Sequence, residues 1–248
     1  MPRAMMFDLD GTLAESKQPL TSGMASLLSQ LLSRTKVAVV SGGALEQFLA
    51  QVVSKLPADA ELGNLFLLPT SGAALYDWRN GAWHKVYEER LSEAEAAKIA
   101  AAMEEAARET SVVDLSSQSY GPRIEHRGGS VAFSALGQRA PVALKKEWDP
   151  DRAKRHALRE AIASRLPGYS VAMGGATTID VTKEGIDKAY GIHRLAELLH
   201  IKEEDMAYFG DELVAGGNDE AVFRTSAQAR PVASPDETAD AIRAALGG

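Results

Sequence analysis

Met5-Met6-Phe7-Asp8-Leu9-Asp10-Gly11-Thr12-Leu13 runs from an apolar stretch straight into two aspartates one residue apart. Apolar residues bounded by glycine read as a buried strand whose carboxyl end opens into a loop. In an open α/β sheet the ligand crevice lies outside the carboxyl ends of the strands, so acids there are placed for chemistry. Asp8 and Asp10 share parity, and an extended chain sends both side chains to one side. Two carboxylates held close repel unless a cation lies between them. Hard cations take oxygen ligands, so the pair suits a magnesium site with one acid free to attack. The plainer alternative is an Asp-rich turn after a strand.

Outward from this stretch the chain alternates strands and helices. Leu27, Leu28, Leu31 and Leu32 recur at helical spacing, and residues 36–40 form a second strand ending at Ser41-Gly42-Gly43. A third strand covers 65–68, and Asn80-Gly81 turns a hairpin between 73–77 and 82–86. The texture then changes. Ser92 with Glu95 opens an alanine-rich helix, and Gly128-Gly129 joins two short strands. Asp149-Pro150 starts a helix carrying Leu158, Ile162 and Leu166, and short strands follow near 169–172 and 177–181. From about Asp187 alternation returns, with a strand over 206–209 and a capped helix from Ser234. The expectation is an α/β protein: a Rossmann-like, parallel-sheet core from residues 1–84 and 186–248, with an inserted α+β lid over 85–185.

The chain has 248 residues, 45% hydrophobic and 25% charged, with net charge −7. That balance argues against a nucleic-acid or acidic-membrane surface. Without cysteine, disulfides and thiolate catalysis are excluded. Asp8 follows Met1 too closely for a signal peptide and no apolar run reaches spanning length, so a cytoplasmic location is expected.

Three further segments carry chemistry. Ser41-Gly42-Gly43 before a helix suits a phosphate cradle, with a tight turn as the alternative. Lys188 stands at a helix start, where a cation opposes the helix dipole; facing an anion would explain it, although surface lysines are common. Gly210-Asp211 ends a strand and is followed by Gly216-Gly217-Asn218-Asp219, either a glycine-rich surface loop or further site residues.

Asp-x-Asp-Gly-Thr after an amino-terminal strand resembles the nucleophile motif of the haloacid dehalogenase superfamily. The resemblance implies that Asp8 attacks phosphorus and Asp10 is general acid and base. It implies that Ser41 and Gly42 hold the phosphoryl group and that Lys188 neutralises its charge. Asp8, Asp10 and Asp211 then bind Mg2+, while Asn218 and Asp219 orient the site. A dehalogenase would lack the second aspartate, so Asp10 points to phosphoryl transfer.

Within the superfamily the chain resembles the phosphomannomutase branch, through the Asp211-to-Asn218 spacing, Gly174-Gly175 to Val181, Gly185-Ile186-Asp187-Lys188 and Ile124 to Arg127. The branch holds the distal phosphate of a sugar substrate with lid arginines. Here Arg127 matches the first. The second falls on Gln138, with Arg139 beside it and able to swing in. The third falls on Lys145, and a further basic position on Lys17. Thr178 and Asp180 match sugar- or phosphate-contacting positions. A charge-assisted hydrogen bond contributes about 1.5–3 kcal/mol, so losing one weakens retention of a bisphosphate by roughly 10- to 150-fold. Escape of the bisphosphate leaves the aspartyl enzyme to water. The expectation is therefore a magnesium-dependent phosphohydrolase of a small phosphorylated compound, most simply a sugar phosphate. A phosphomannomutase is the alternative, and a catalytically silent sugar-phosphate binding module comes third. Val131, Phe133 and Ala135 suit an internal core; pairing two copies through the lid is their other use.

Overall fold

The computed structural model describes residues 1–247. The chain opens with β1 (Ala4–Asp8), α1 (Ser22–Leu32), β2 (Lys36–Val40), α2 (Leu45–Gln51), β3 (Leu65–Leu68), β4 (Ala74–Arg79) and β5 (Ala82–Glu88). It continues with α3 (Glu93–Thr110), β6 (Ile124–His126), β7 (Ser130–Ser134), α4 (Val142–Trp148), α5 (Ala153–Arg165), β8 (Tyr169–Met173) and β9 (Thr178–Lys183). It ends with α6 (Lys188–Leu199), β10 (Met206–Gly210), β11 (Gln228–Pro231) and α7 (Pro235–Leu246). Contacts divide these elements into two compact units: Met1–Glu88 with the chain from Asp187 onward, and Glu89–Ile186. The division falls after β5 and not at the expected residue 84, because the hairpin stays paired through Ala74 and Glu88. None of the described helices is long and apolar enough to cross a membrane.

The first unit is an α/β layer structure. Its sheet has the order β11-β10-β1-β2-β3-β4-β5. The pairs from β11 through β3 are parallel, and β4 and β5 return antiparallel. Parallel strands buried on both faces read as continuous apolar runs, which is how β1, β2, β3 and β10 read. Odd residues of β1 (Met5, Phe7) pack with α1, α2 and α7; even ones (Ala4, Met6) pack with Ile192 and Leu195 of α6. In register, Phe7 pairs with Phe209 and Asp8 with Val40. The carboxyl ends of β1, β2 and β10 therefore stand side by side. The hairpin turns where Asn80 and Gly81 both take positive φ, as a two-residue turn of the primed type requires.

The second unit is α+β. Its antiparallel sheet has the order β6-β7-β9-β8. Val131, Phe133, Ile179 and Val181 face an apolar core with Ile99 and Met103 of α3 and Leu158 and Ile162 of α5. The expected Ser92–Glu95 capping box is complete. Two expectations need correction. A helix over Val142–Trp148 was not expected from the sequence. The next helix begins at Ala153, not at Asp149-Pro150, with Arg152 at positive φ before it. Asp149 still serves that helix from outside it: its carboxylate accepts the backbone N–H of Lys154 and Arg155 and pairs with the Arg155 guanidinium at 2.9 Å. The pair is buried, 5% and 0% exposed.

Removing one member of a buried pair strands the other, so Asp149→Ala should cost the second unit about 3–5 kcal/mol, read as a lower urea midpoint. Burial pulls the Asp149 carboxyl upward, but the bonds from Arg155 and Lys154 outweigh it and hold it below its ordinary 3.8. A depressed carboxyl stabilises the fold fully above its unfolded value and loses that contribution as pH falls through the folded one. The stability gap between wild type and Asp149→Ala should therefore hold near neutrality and close only below about pH 3.8.

Candidate active site

The site is built at the carboxyl ends of three adjacent strands. Asp8 is the last residue of β1 and 2% exposed. Even parity turns it toward the face covered by α6, whose first residue is Lys188. Asp187 caps that helix, accepting the N–H of Ala189 and Tyr190, and its second oxygen pairs with Arg224. The capped start fixes where Lys188 leaves the backbone.

Lys188 Nζ donates to Asp8 Oδ1 at 2.6 Å, Asn218 Oδ1 at 2.7 Å and Asp219 Oδ1 at 2.7 Å. Its three hydrogens are thereby engaged. Burial works against its charge, but the carboxylates of Asp219 and Asp8 outweigh that and raise its pKa. Asp219 is fully buried. Its Oδ1 also accepts the hydroxyl of Tyr208, and its Oδ2 accepts the Glu212 N–H at 3.1 Å. Asn218 is tied back through its N–H to Glu212.

Asp211 follows β10 directly and accepts the Thr12 hydroxyl at 3.2 Å. Gly11 is needed beside it: its φ is +91°, and a Cβ there would lie 2.3 Å from Asp211 Oδ2. Burial, with Asp219 and Glu212 adding, pushes Asp211 up to about 6.

The strand ends at Asp8 and the chain turns at once, with Leu13 and Ala14 donating to the Leu9 carbonyl. Asp10 Oδ1 accepts the Lys17 N–H at 2.5 Å and Oδ2 accepts Gln47 Nε2 of α2 at 3.1 Å. Its side chain is thus held by partners different from those of Asp8. Lys17 reaches Asp10 through its backbone, at positive φ.

Ser41 is 5% exposed, just past β2, and its hydroxyl accepts the Gly43 N–H at 3.3 Å. Gly42 lies half-buried between them. The corner after β3 braces this loop: Thr70 N–H donates to Gly43 O and Ser71 N–H to Ser41 O, both at 2.9 Å.

Among the described residues no three carboxylate, imidazole or thiol groups form a ready-made metal cage. Magnesium seldom uses one; it takes one or two carboxylates and completes its shell with water and phosphate oxygens. The residues present suit that pattern. Asp8 Oδ2 is buried and accepts no hydrogen bond. Burial, with Asp219 and Asp211 adding, drives the Asp8 carboxyl well up against the pull of Lys188. Asp8, Asp211, Glu212 and Asp219 together outnumber the ammonium among them. A divalent cation held among these carboxylates would offset that excess of negative charge.

The remaining expected residues lie in the second unit. Arg127 donates to Asp180 Oδ1 at 3.3 Å and Gln138 Oε1 at 3.2 Å, and pairs with Glu125 at 2.6 Å. Lys145, on α4, is 6% exposed and reaches the Gln138 carbonyl at 3.4 Å. Thr178 is buried on β9, two residues before Asp180 and on the same sheet face. Gln138, and not Arg139, meets Arg127; Arg139 is exposed with its stem beside Gly121. Sequence reasoning missed Tyr208, Gln47 and Glu212. Tyr208 had one signal, its same-face position two residues before Gly210.

The model of the eukaryotic phosphomannomutase family matches residues 24–247. A phosphomannomutase of Saccharomyces cerevisiae is 25% identical over 245 residues, covering 94% of this chain and 90% of that protein. Among solved structures, Plasmodium falciparum IMP-nucleotidase superposes with a TM-score of 0.72 at 17% identity, over 100% of this chain and 68% of that one. A haloacid dehalogenase-like hydrolase from Bacteroides thetaiotaomicron gives 0.61 at 16% identity, over 99% and 100%. These two likenesses are of fold. With the family model spanning nearly the whole chain, this enzyme belongs to the eukaryotic phosphomannomutase family, within the haloacid dehalogenase superfamily of phosphatases and phosphotransferases.

Proposed function

We propose that the chain moves a phosphoryl group between the O1 and O6 positions of a hexose, interconverting mannose 1-phosphate and mannose 6-phosphate. The observation that carries phosphoryl transfer is the division of labour on Asp8: Oδ1 is held by Lys188, while the buried Oδ2 accepts nothing. Oδ2 attacks phosphorus, the bond to the sugar oxygen breaks, and Asp10 supplies the proton that oxygen needs. Lys188 and the Ser41 loop hold the charge spread over the phosphoryl oxygens. Magnesium, held by Asp8 and Asp211, would supply electrostatic stabilisation of that charge. In the isomerising cycle the phosphorylated Asp8 donates to the free hydroxyl of a sugar monophosphate, whose proton passes to Asp10. The bisphosphate turns, and its other phosphoryl returns to Asp8.

Isomerisation ranks above hydrolysis because the family relation runs over nearly the whole chain. The second unit supports it with donors suited to a distal phosphate, Arg127, Lys145 and Thr178, with the Asp180 carboxylate orienting Arg127. Hydrolysis is the second reading. Neutral Gln138 favours it, since a glutamine cannot supply the charge that retains a bisphosphate.

The deciding assay supplies magnesium and mannose 1-phosphate, with and without catalytic sugar 1,6-bisphosphate, and follows mannose 6-phosphate and free phosphate together. The expected outcome is bisphosphate-dependent mannose 6-phosphate with little free phosphate. Free phosphate without isomerised sugar would establish the hydrolase. Asp8→Asn should abolish either outcome, and substantial residual turnover would overturn the nucleophile assignment.

Arg127→Met tests the second unit. It should weaken the apparent affinity for the bisphosphate by roughly 10- to 150-fold. Hydrolysis of a small aryl phosphate, which has no second phosphate to hold, should change little. Equal losses on both substrates would reject a distal-phosphate role.

A further inference from the structure

Tyr208 is fully buried on β10, among Met206, Ile192, Leu195, Leu213 and Val222. A phenylalanine would satisfy that apolar surround, and a hydroxyl taken there without a partner costs free energy. Its hydroxyl has a partner: it donates to Asp219 Oδ1, the oxygen that also accepts Lys188 Nζ at 2.7 Å. With Glu212 N–H on Oδ2, the carboxylate is held at both oxygens. Gly210 makes room for this arrangement; a Cβ there would lie 2.4 Å from Asp219 Oδ2 and 2.9 Å from Tyr208 Cε1. The chain of contacts runs from Tyr208 through Asp219 and Lys188 to Asp8.

We infer that Tyr208 is a positioning residue for phosphoryl transfer: its hydroxyl fixes the Asp219 carboxylate so that Lys188 stays on Asp8 Oδ1 and leaves Oδ2 to attack. Asp219 has a rotatable side chain, and without Tyr208 only Lys188 and one backbone amide restrain it. A tilt of the carboxylate pulls on the ammonium bonded to it, against its two other acceptors, Asp8 Oδ1 and Asn218 Oδ1. The fully buried Tyr208 acts through Asp219 and Lys188, so its effect should fall on the chemical step and not on substrate binding.

The consequence for rate rests on Asp8 being the nucleophile, so the test carries a readout independent of turnover. Tyr208→Phe removes one oxygen and keeps the ring. It should lower kcat about tenfold with KM for the sugar phosphate within about twofold, the pattern of an interaction felt in the transition state. In 15N-labelled protein the triply bonded, buried Lys188 ammonium should give a slowly exchanging signal. That signal, assigned by its loss in Lys188→Met, should broaden into fast water exchange in Tyr208→Phe. Ile192→Val, in the same apolar cluster, should match the loss of stability and leave both kcat and the signal intact. An unchanged kcat with an unchanged ammonium signal in Tyr208→Phe would overturn the proposal. So would equal changes in Ile192→Val, which would make the effect one of packing. If the wild type turns over no sugar phosphate, the proposed function fails, and the ammonium signal still decides the role of Tyr208.

Discussion

A lysine ammonium inside a protein demands counter-charges and hydrogen-bond acceptors at once, and Lys188 obtains both from Asp8, Asn218 and Asp219. Asp8 lies 180 residues away and Asp219 lies 31 away, so the contact cannot form locally. It requires the parallel register that sets β1 between β2 and β10, and the packing of α6 on the even face of β1. Folding the first unit and bringing Lys188 onto Asp8 are therefore one event. The inserted second unit interrupts the chain just before this helix, so the chain returns to the sheet at the residue that closes the site.

The same constraint explains why so many glycines and strained residues gather here. Carboxylates packed this closely leave no space for a Cβ at Gly11 or Gly210. Thr70, Ser71 and Gly72 all take positive φ in succession, a cost for the two L residues of order 1 kcal/mol each. That corner supplies the two backbone bonds that brace Ser41 and Gly43. Local strain is compensated by a fixed loop over residues 41–43, and the loop stays fixed because surrounding β2 and β3 are buried on both faces.

What the sequence made legible follows from the range of each interaction. Strand runs, the Asn80-Gly81 turn and the Ser92 and Ser234 caps depend on neighbours a few residues apart and could be read directly. Alternation holds only within a strand and β1 ends at Asp8, so the bonds to Lys17 and Gln47, and not strand parity, hold Asp10 in place. Gln47 is one helix turn beyond the Ser-Gly-Gly loop and its link to Asp10 spans 37 residues; no local pattern announces it. Tyr208 reads as one more apolar strand residue until Asp219 is seen above it. In the second unit, Asp149-Pro150 marks a helix start too early, since Arg152 at positive φ delays the helix to Ala153.

The ranking of isomerisation over hydrolysis turns on a difference between matching positions and matching charge. Read singly, Gln138 and Lys145 remove an arginine fork each and argue that a bisphosphate escapes. In the folded unit, however, Gln138 presents its side-chain oxygen to Arg127 and its carbonyl to Lys145. It thus contributes by orienting cations on either side of it, a part that needs no charge of its own. Oriented donors restrain a bound phosphate more than mobile ones, because less side-chain freedom is lost on binding. Lys145 is itself 6% exposed, and a buried ammonium attracts an anion more strongly than a solvated one. On the proposed reading, preorganisation of the cations that remain offsets the two missing guanidiniums, and the family relation outweighs the residue-by-residue count.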